Sequence, residues 1–518
     1  MAGRSTVFGA AAAGVLMLLS GFSAPALAAE AAAPASTVGW KPCADAPGLD
    51  CGTVTVPIDW SKPHGATIEI ALARKKATDP GARIGSILMD PGGPGGSGVD
   101  EVKAGWSLSP EITRRFDTVG FDPRGVGASH PVLCDYDKMS APYAQVPANE
   151  AEFRGLAAHN KALGESCRKL TGPLFDFVDT ESVARDMDVI RAGLGERKLT
   201  YYGESYGTLM GQQYAELFPE NIRALVLDSN MDHSQTTAWQ FLRSESKSAQ
   251  GLFEQFAAWC DRTASCALHG QDVGAVFADL YGKSERGELK APGSGEPIEP
   301  SVLLGTMGGA FYGPSWGQLA SYLASLRDGK PNPESFGAAE PSAISVPSPF
   351  QAVFCQDWSL PVRSFAELDV YRKAIERTVA PDMKRSPLGW TATTGCIGWP
   401  GQVRNPPHPL SVHGAPPVLM LNSRYDPATP YEWARTASRQ SGAVLLSYDG
   451  WGHGAYFKNS DCVIQATDDY LITGKTPRRG THCAAVEPGP ASAQKNAPRT
   501  TGPAQRQTWP ASPAFTAP

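Results

Sequence analysis

The chain has 518 residues with a hydrophobic share of 42% and a charged share of 19%, which suits one large core carrying an insertion. Its formal net charge of -6 gives no broad basic field, so nucleic acid and anionic membrane are excluded as expected partners, leaving small molecules and peptides.

At the amino end, Arg4 precedes an apolar run from Val7 to Leu19, followed by Ala26-Leu27-Ala28. This is the order of a secretory signal peptide with a small-x-small cleavage site, expected over residues 1–28, with 29–39 a short pro-segment or linker. The run is shorter than the roughly 20 apolar residues a bilayer span needs, and no cysteine follows closely to carry a lipid. The expectation is a secreted, extracellular monomer.

From Cys51 the pattern is of short apolar runs alternating with helical stretches, the mark of a mostly parallel, doubly wound sheet of the α/β class. Four runs stand out. Ile84 to Met89 ends in DPGGPGGSG, and Phe116 to Phe121 ends in DPRGVGAS. Leu199 to Tyr202 runs into GESYG, and Ala224 to Leu227 stops at Asp228. Buried parallel strands deliver loops to one edge of the sheet in this way, and chemistry is expected at that edge.

After 40–229, the first part of the core, the alternation fades over residues 230–410, too long for a plain loop. A mainly helical cap insertion is expected there. Core patterning resumes over 411–485 with PPVLMLNSRYDPATP and AVLLSYDGWGHGAY, and a Pro/Ala/Ser-rich tail, 486–518, reads as disordered. Ten cysteines lie between the two ends. The even count fits an oxidising compartment. No C-x-x-C pair is present, so disulfides are expected rather than a metal site. The pairing taken is nearest neighbour: Cys43 with Cys51, Cys134 with Cys167, Cys260 with Cys266, Cys355 with Cys396, and Cys462 with Cys483.

Gly203-Glu204-Ser205-Tyr206-Gly207 is a G-x-S-x-G sequence between a strand and a helix-forming stretch, the context of a nucleophile elbow. A serine nucleophile needs a base, and the base needs an acid to orient it; in the α/β-hydrolase fold they follow the serine in the order acid, then histidine. Asp426 follows VLMLNSRY and His453 follows VLLSYDGW, so both match. Seven other histidines precede Asp426, and His482 lies past the last expected strand. Asp228, also at a strand end, is the rival acid. The oxyanion of a tetrahedral intermediate calls for main-chain N–H donors, assigned to Tyr206 and to Gly93, with Gly92 as second choice. A phosphate-binding loop fits the glycines less well, because no lysine follows them. Asp122-Pro123-Arg124-Gly125 reads as a structural hydrogen-bond network.

Through DPGGPGGSG, FDPRGVGAS, GESYGT, Cys355-Gln356-Asp357, NSRYDPATP and GHG, the chain from Trp40 to Cys483 resembles the secreted tripeptidyl aminopeptidases of actinomycetes. Those enzymes are relatives of the proline iminopeptidases among the α/β-hydrolase peptidases. The resemblance implies a Ser205, Asp426 and His453 triad under a cap, no metal or organic cofactor, and a peptide substrate with a free amino terminus from which tripeptides are released. It departs from proline iminopeptidases where HGGPG is replaced by Asp90-Pro91-Gly92-Gly93-Pro94-Gly95. An ammonium-binding carboxylate is also required, and Glu204 and Asp357 are the candidates. A proline iminopeptidase-like aminopeptidase, a secreted esterase or lipase with the same triad, a serine carboxypeptidase sharing GESY, and a binding protein on a retired hydrolase scaffold are the alternatives.

Overall fold

A computed structural model describes residues 37–330 and 345–488, together with Gly3. The expected signal peptide, apart from Gly3, and the expected tail beyond residue 488 lie outside the described residues. The core is a ten-stranded sheet. Its strands are β1 (Lys41–Pro42), β2 (Asp50–Pro57), β3 (Thr67–Lys75), β4 (Gly85–Asp90) and β5 (Phe116–Phe121). They continue with β6 (Leu199–Glu204), β7 (Ile222–Asp228), β8 (Leu419–Tyr425), β9 (Val444–Trp451) and β10 (His482–Cys483). Their spatial order is β1-β2-β3-β5-β4-β6-β7-β8-β9-β10. The pairs from β1 to β5 across β2 and β3 are antiparallel, and every pair from β5 onward is parallel. The chain thus forms an α/β-hydrolase core with an antiparallel margin.

Every residue of β4, β5 and β6 is buried, as continuous apolar runs must be when helices cover both faces of a sheet. Strand order reverses at β4, which pairs with β5 on one side and β6 on the other. Asp90 therefore stands opposite Gly203, and the glycine-rich turn after β4 emerges beside the turn after β6. Such a switch point opens a crevice at the carboxyl edge.

Between β7 and β8 the described chain is mainly helical, from Ala238–Arg262 to Pro387–Gly395. Within it Trp316 packs against Phe256 and Trp259, and the same ring ties the insertion to the core at Trp451, at the end of β9, with centroids 5.1 Å apart in that last pair. The cover also draws on a stretch expected, from sequence, to belong to the core. Leu133–Asp135 pairs antiparallel with Ser345–Pro347. On the helix Glu150–Thr171, buried Asn160 donates through Nδ2 to the carbonyls of Thr394 (2.9 Å) and Ile397 (2.8 Å). The excursion after β5 thus docks on the later insertion. The five disulfides join Cys43–Cys51, Cys134–Cys167, Cys260–Cys266, Cys355–Cys396 and Cys462–Cys483.

Asp122 and Arg124 fix the loop after β5. Asp122 accepts from Ser97 Oγ and from the N–H groups of Val99 and Ala128. Arg124, fully buried, donates to both oxygens of Asp186 (2.7 and 2.6 Å) and to the carbonyls of Pro57, Ile58 and Phe177. Removing one partner of a buried pair strands the other charge, so Arg124→Met is expected to cost about 3–5 kcal/mol in urea unfolding. Turnover per folded molecule should be kept; a loss below about 1 kcal/mol would contradict this role.

Candidate active site

Strand β6 passes into the helix Tyr206–Leu217 through Ser205, whose φ of 58° and ψ of -124° are unusual for a residue with a side chain. Conformations of this kind cost on the order of 1–3 kcal/mol and persist only when their surroundings hold them. Here the Ser205 N–H is donated to the Asp228 carbonyl at 2.9 Å. The Ser205 carbonyl accepts from Thr208 N–H at 2.9 Å and Thr208 Oγ1 at 2.6 Å. A Cβ at Gly203 would lie 2.5 Å from the Gly207 carbonyl oxygen, so no side chain fits there.

His453 follows β9 and Asp426 follows β8. The imidazole Nδ1 lies 2.9 Å from Asp426 Oδ1 and 3.1 Å from Oδ2, with Thr429 Oγ1 at 3.5 Å. Asp426 Oδ1 also accepts from the N–H groups of Ala428 (2.9 Å) and Thr429 (2.8 Å). Burial would raise the Asp426 carboxyl, but the imidazole and the two N–H groups outweigh it and hold the group below the usual carboxylate range. The converse holds for His453, where burial pulls down and the charge of Asp426 pushes up, leaving the imidazole above its ordinary value. Nε2 is buried without a hydrogen-bond partner, free for a substrate-side proton transfer. Ser205 and His453 are only 6% and 5% exposed. Asp228, the rival acid, is occupied elsewhere: its carboxylate accepts from Ala455 N–H, Tyr456 N–H and the Tyr202 hydroxyl.

Tyr206 opens its helix, so its N–H has no intrahelical acceptor. The glycine-rich turn crosses directly over it, for a Cβ at Gly92 would stand 2.6 Å from Tyr206 N. Gly92, the second choice, donates its own N–H to Asp90 Oδ1 at 2.8 Å. Gly93 has no such internal acceptor among the described residues and remains the candidate beside Tyr206.

The two carboxylates considered for a substrate amine differ sharply. Glu204 is buried, its Oε2 lacks a partner, and its carboxyl is pushed up to about 8 by burial, with Asp228 adding to the rise and His453 opposing it. It faces the histidine loop, since a Cβ at Gly454 would lie 2.8 Å from Glu204 Oε1. Asp357, by contrast, is fully buried and already accepts from Thr180 N–H and Oγ1, the Tyr206 hydroxyl and Asn405 Nδ2. Through the Tyr206 hydroxyl it ties the cap to the residue directly after Ser205. Tyr312 is a site residue that sequence reasoning misses: its carbonyl accepts the His453 N–H at 2.9 Å and Lys458 Nζ at 3.0 Å. A main-chain acceptor leaves no mark in residue type. Among the described residues no group of three His, Cys, Asp or Glu side chains is placed to hold a metal ion.

Because catalysis by a serine needs the neutral imidazole, activity should rise with pH through the His453 pKa, so the acid limb of kcat/KM is expected above the ordinary histidine value of about 6.5. Asp426→Asn removes the charge that raises it. The expected result is a fall in kcat of about 10⁴-fold and an acid limb moved to lower pH; a pH–rate profile with an unmoved limb would contradict the pairing.

A family described as TAP-like protein matches residues 386–483, the stretch that carries β8, Asp426, β9 and His453. Serine protease Hip1 of Mycobacterium tuberculosis is 32% identical over 481 residues, covering 86% of this chain and 91% of that protein. Tripeptidyl aminopeptidase of Streptomyces lividans is 33% identical over 485 residues, covering 88% and 89%. Carboxylesterase B of Mycobacterium tuberculosis is 33% identical over 459 residues, covering 84% and 86%. With relatives of this identity spanning most of both chains, and with a parallel sheet that presents a serine elbow at its carboxyl edge, the chain belongs to the tripeptidyl aminopeptidase family of α/β-hydrolase serine peptidases.

Proposed function

We propose that this serine peptidase is a secreted exopeptidase that releases short amino-terminal peptides, chiefly tripeptides, through an acyl-enzyme on Ser205. The observation that carries the reading is the contact of His453 Nδ1 with buried Asp426, with Nε2 left without a partner. His453 takes the Ser205 proton as the hydroxyl attacks the scissile carbonyl, and Asp426 holds the imidazole in the tautomer that leaves Nε2 basic. The N–H groups of Tyr206 and Gly93 receive the oxyanion, a donor of this kind contributing roughly 3 kcal/mol to the transition state. Protonated His453 then gives its proton to the leaving amine. Water, activated by the same imidazole, releases the amino-terminal fragment and restores the serine.

Glu204 is the group proposed to meet the substrate ammonium, because its buried Oε2 is unpartnered beside the nucleophile. The name of the Streptomyces relatives supports tripeptide release. Five disulfides support an oxidising destination, hence secretion. The name of the carboxylesterase relative favours a second reading, hydrolysis of acyl esters by the same three residues.

The first measurement tests the nucleophile common to both readings, and the second separates them. Ser205→Ala is expected to abolish hydrolysis of a tripeptide p-nitroanilide with a free amino terminus, and retained turnover would refute the nucleophile. Acetylating that terminus is expected to lower kcat/KM by about 10- to 100-fold, the value of a hydrogen bond to a charged group, and Glu204→Gln should erase most of that difference. Equal rates on free and acetylated peptides, exceeded by rates on p-nitrophenyl butyrate, would establish the esterase instead.

A further inference from the structure

The loop bearing His453 is held from outside itself. Five consecutive main-chain N–H groups are donated to other segments: Gly452 to the Tyr425 carbonyl (2.8 Å), His453 to the Tyr312 carbonyl (2.9 Å) and Gly454 to Ser229 Oγ (2.8 Å). Ala455 then donates to Asp228 Oδ1 and Tyr456 to Asp228 Oδ2, both at 2.8 Å. Three of the five therefore end on the side chains of two adjacent residues at the close of β7. Both are fully buried. Asp228 Oδ2 accepts in addition from the Tyr202 hydroxyl at 2.8 Å, and Ser229 Oγ lies 3.4 Å from Oδ1 and donates to it. Ser229 occupies the left-handed region, with φ 65°, and its N–H is fixed on the Leu421 carbonyl at 2.9 Å.

The same Asp228 that grips the histidine loop through its carboxylate grips the elbow through its carbonyl, which takes the Ser205 N–H. Burying a carboxylate costs several kcal/mol unless donors satisfy it, and here two of the donors are the second and third residues after His453. The imidazole's own Nδ1 is turned to Asp426, so Asp228 does not compete for the acid's place. We infer that Asp228, assisted by Ser229, is a positioning residue that sets the distance and orientation between Ser205 and His453 by holding the elbow and the histidine loop at once. This inference rests on the reading of Ser205 and His453 as nucleophile and base.

Asp228→Asn is the direct test, because an amide Nδ2 in place of either oxygen faces an N–H donor of the loop and leaves it unsatisfied. Ser229→Ala removes the Gly454 acceptor alone and serves if Asp228→Asn does not fold. Steady-state kinetics on the tripeptide p-nitroanilide should show kcat lowered about 100-fold in Asp228→Asn and about 10-fold in Ser229→Ala, with KM within about two-fold, as for a reacting group displaced by about 1 Å. The low-field proton resonance of His453 Nδ1–H should persist but shift, since the bond to Asp426 is kept and its geometry altered. If folded Ser229→Ala and Asp228→Asn both turn over at the wild-type rate, the inference is overturned. It is equally overturned if Ser229→Ala is silent while Asp228→Asn matches Asp426→Asn and abolishes the resonance, for Asp228 is then the acid. His453→Gln, measured alongside, separates the two levels: activity retained there refutes the base itself and the clamp with it, whereas activity lost there with both clamp variants unaffected refutes the clamp alone.

Discussion

Two carboxylates stand fully buried at the same edge of the sheet, Asp426 and Asp228, and burial alone disfavours the charge of each. Their partners set them apart. Asp426 meets an imidazole that can become a cation, and its carboxyl is held low; Asp228 meets main-chain N–H groups and a phenol, and burial leaves its carboxyl raised. The contrast separates an acid that can stabilise an imidazolium from one that organises backbone. Glu204, pushed up to about 8 beside them, is a third carboxyl in the same dry region, mostly neutral at pH 7 until a cation joins it. Environments that drive neighbouring acids apart are the usual means by which one site holds several protonation states at once.

The cap is more than a cover. It supplies Tyr312, whose carbonyl fixes the His453 N–H, and Asp357, which accepts from the Tyr206 hydroxyl directly after the nucleophile. Ser248, on the cap helix Ala238–Arg262, donates to the main-chain carbonyl of Asp426. Each proposed triad position thus has a partner in the cap on its own residue or its neighbour.

How much of this is legible in the chain depends on the range of the interactions involved. The parallel strands are legible because buried runs such as Ile84 to Met89 stop at glycine, proline or aspartate, and the elbow because Gly203 and Gly207 answer a local steric demand. The order of Ser205, Asp426 and His453 follows from strand ends in the same way. Gly92 and Gly93 are indistinguishable until the fold turns the Asp90 carboxylate onto the first of them. Asp357 reads as an acidic cap residue, and only its four donors from distant segments reveal a buried tie. The contacts of Asp228 with Ala455 and Tyr456 span 227 and 228 residues and end on main-chain N–H groups, which every residue but proline provides. No pattern in the sequence announces them, and the docking of Leu133–Asp135 and Asn160 on the later insertion is hidden for the same reason.

Ser205 is proposed to be made nucleophilic by a histidine and an aspartate brought to it from far along the chain. The most direct measurement is stoichiometric labelling of the folded enzyme with a fluorophosphonate, with mass mapping of the modified residue. The expected result is one adduct per molecule, at Ser205, with peptidase activity lost in proportion to labelling and labelling slowed severely in His453→Gln. Full labelling of Ser205 with peptidase activity intact, or rapid labelling without the histidine, would contradict it.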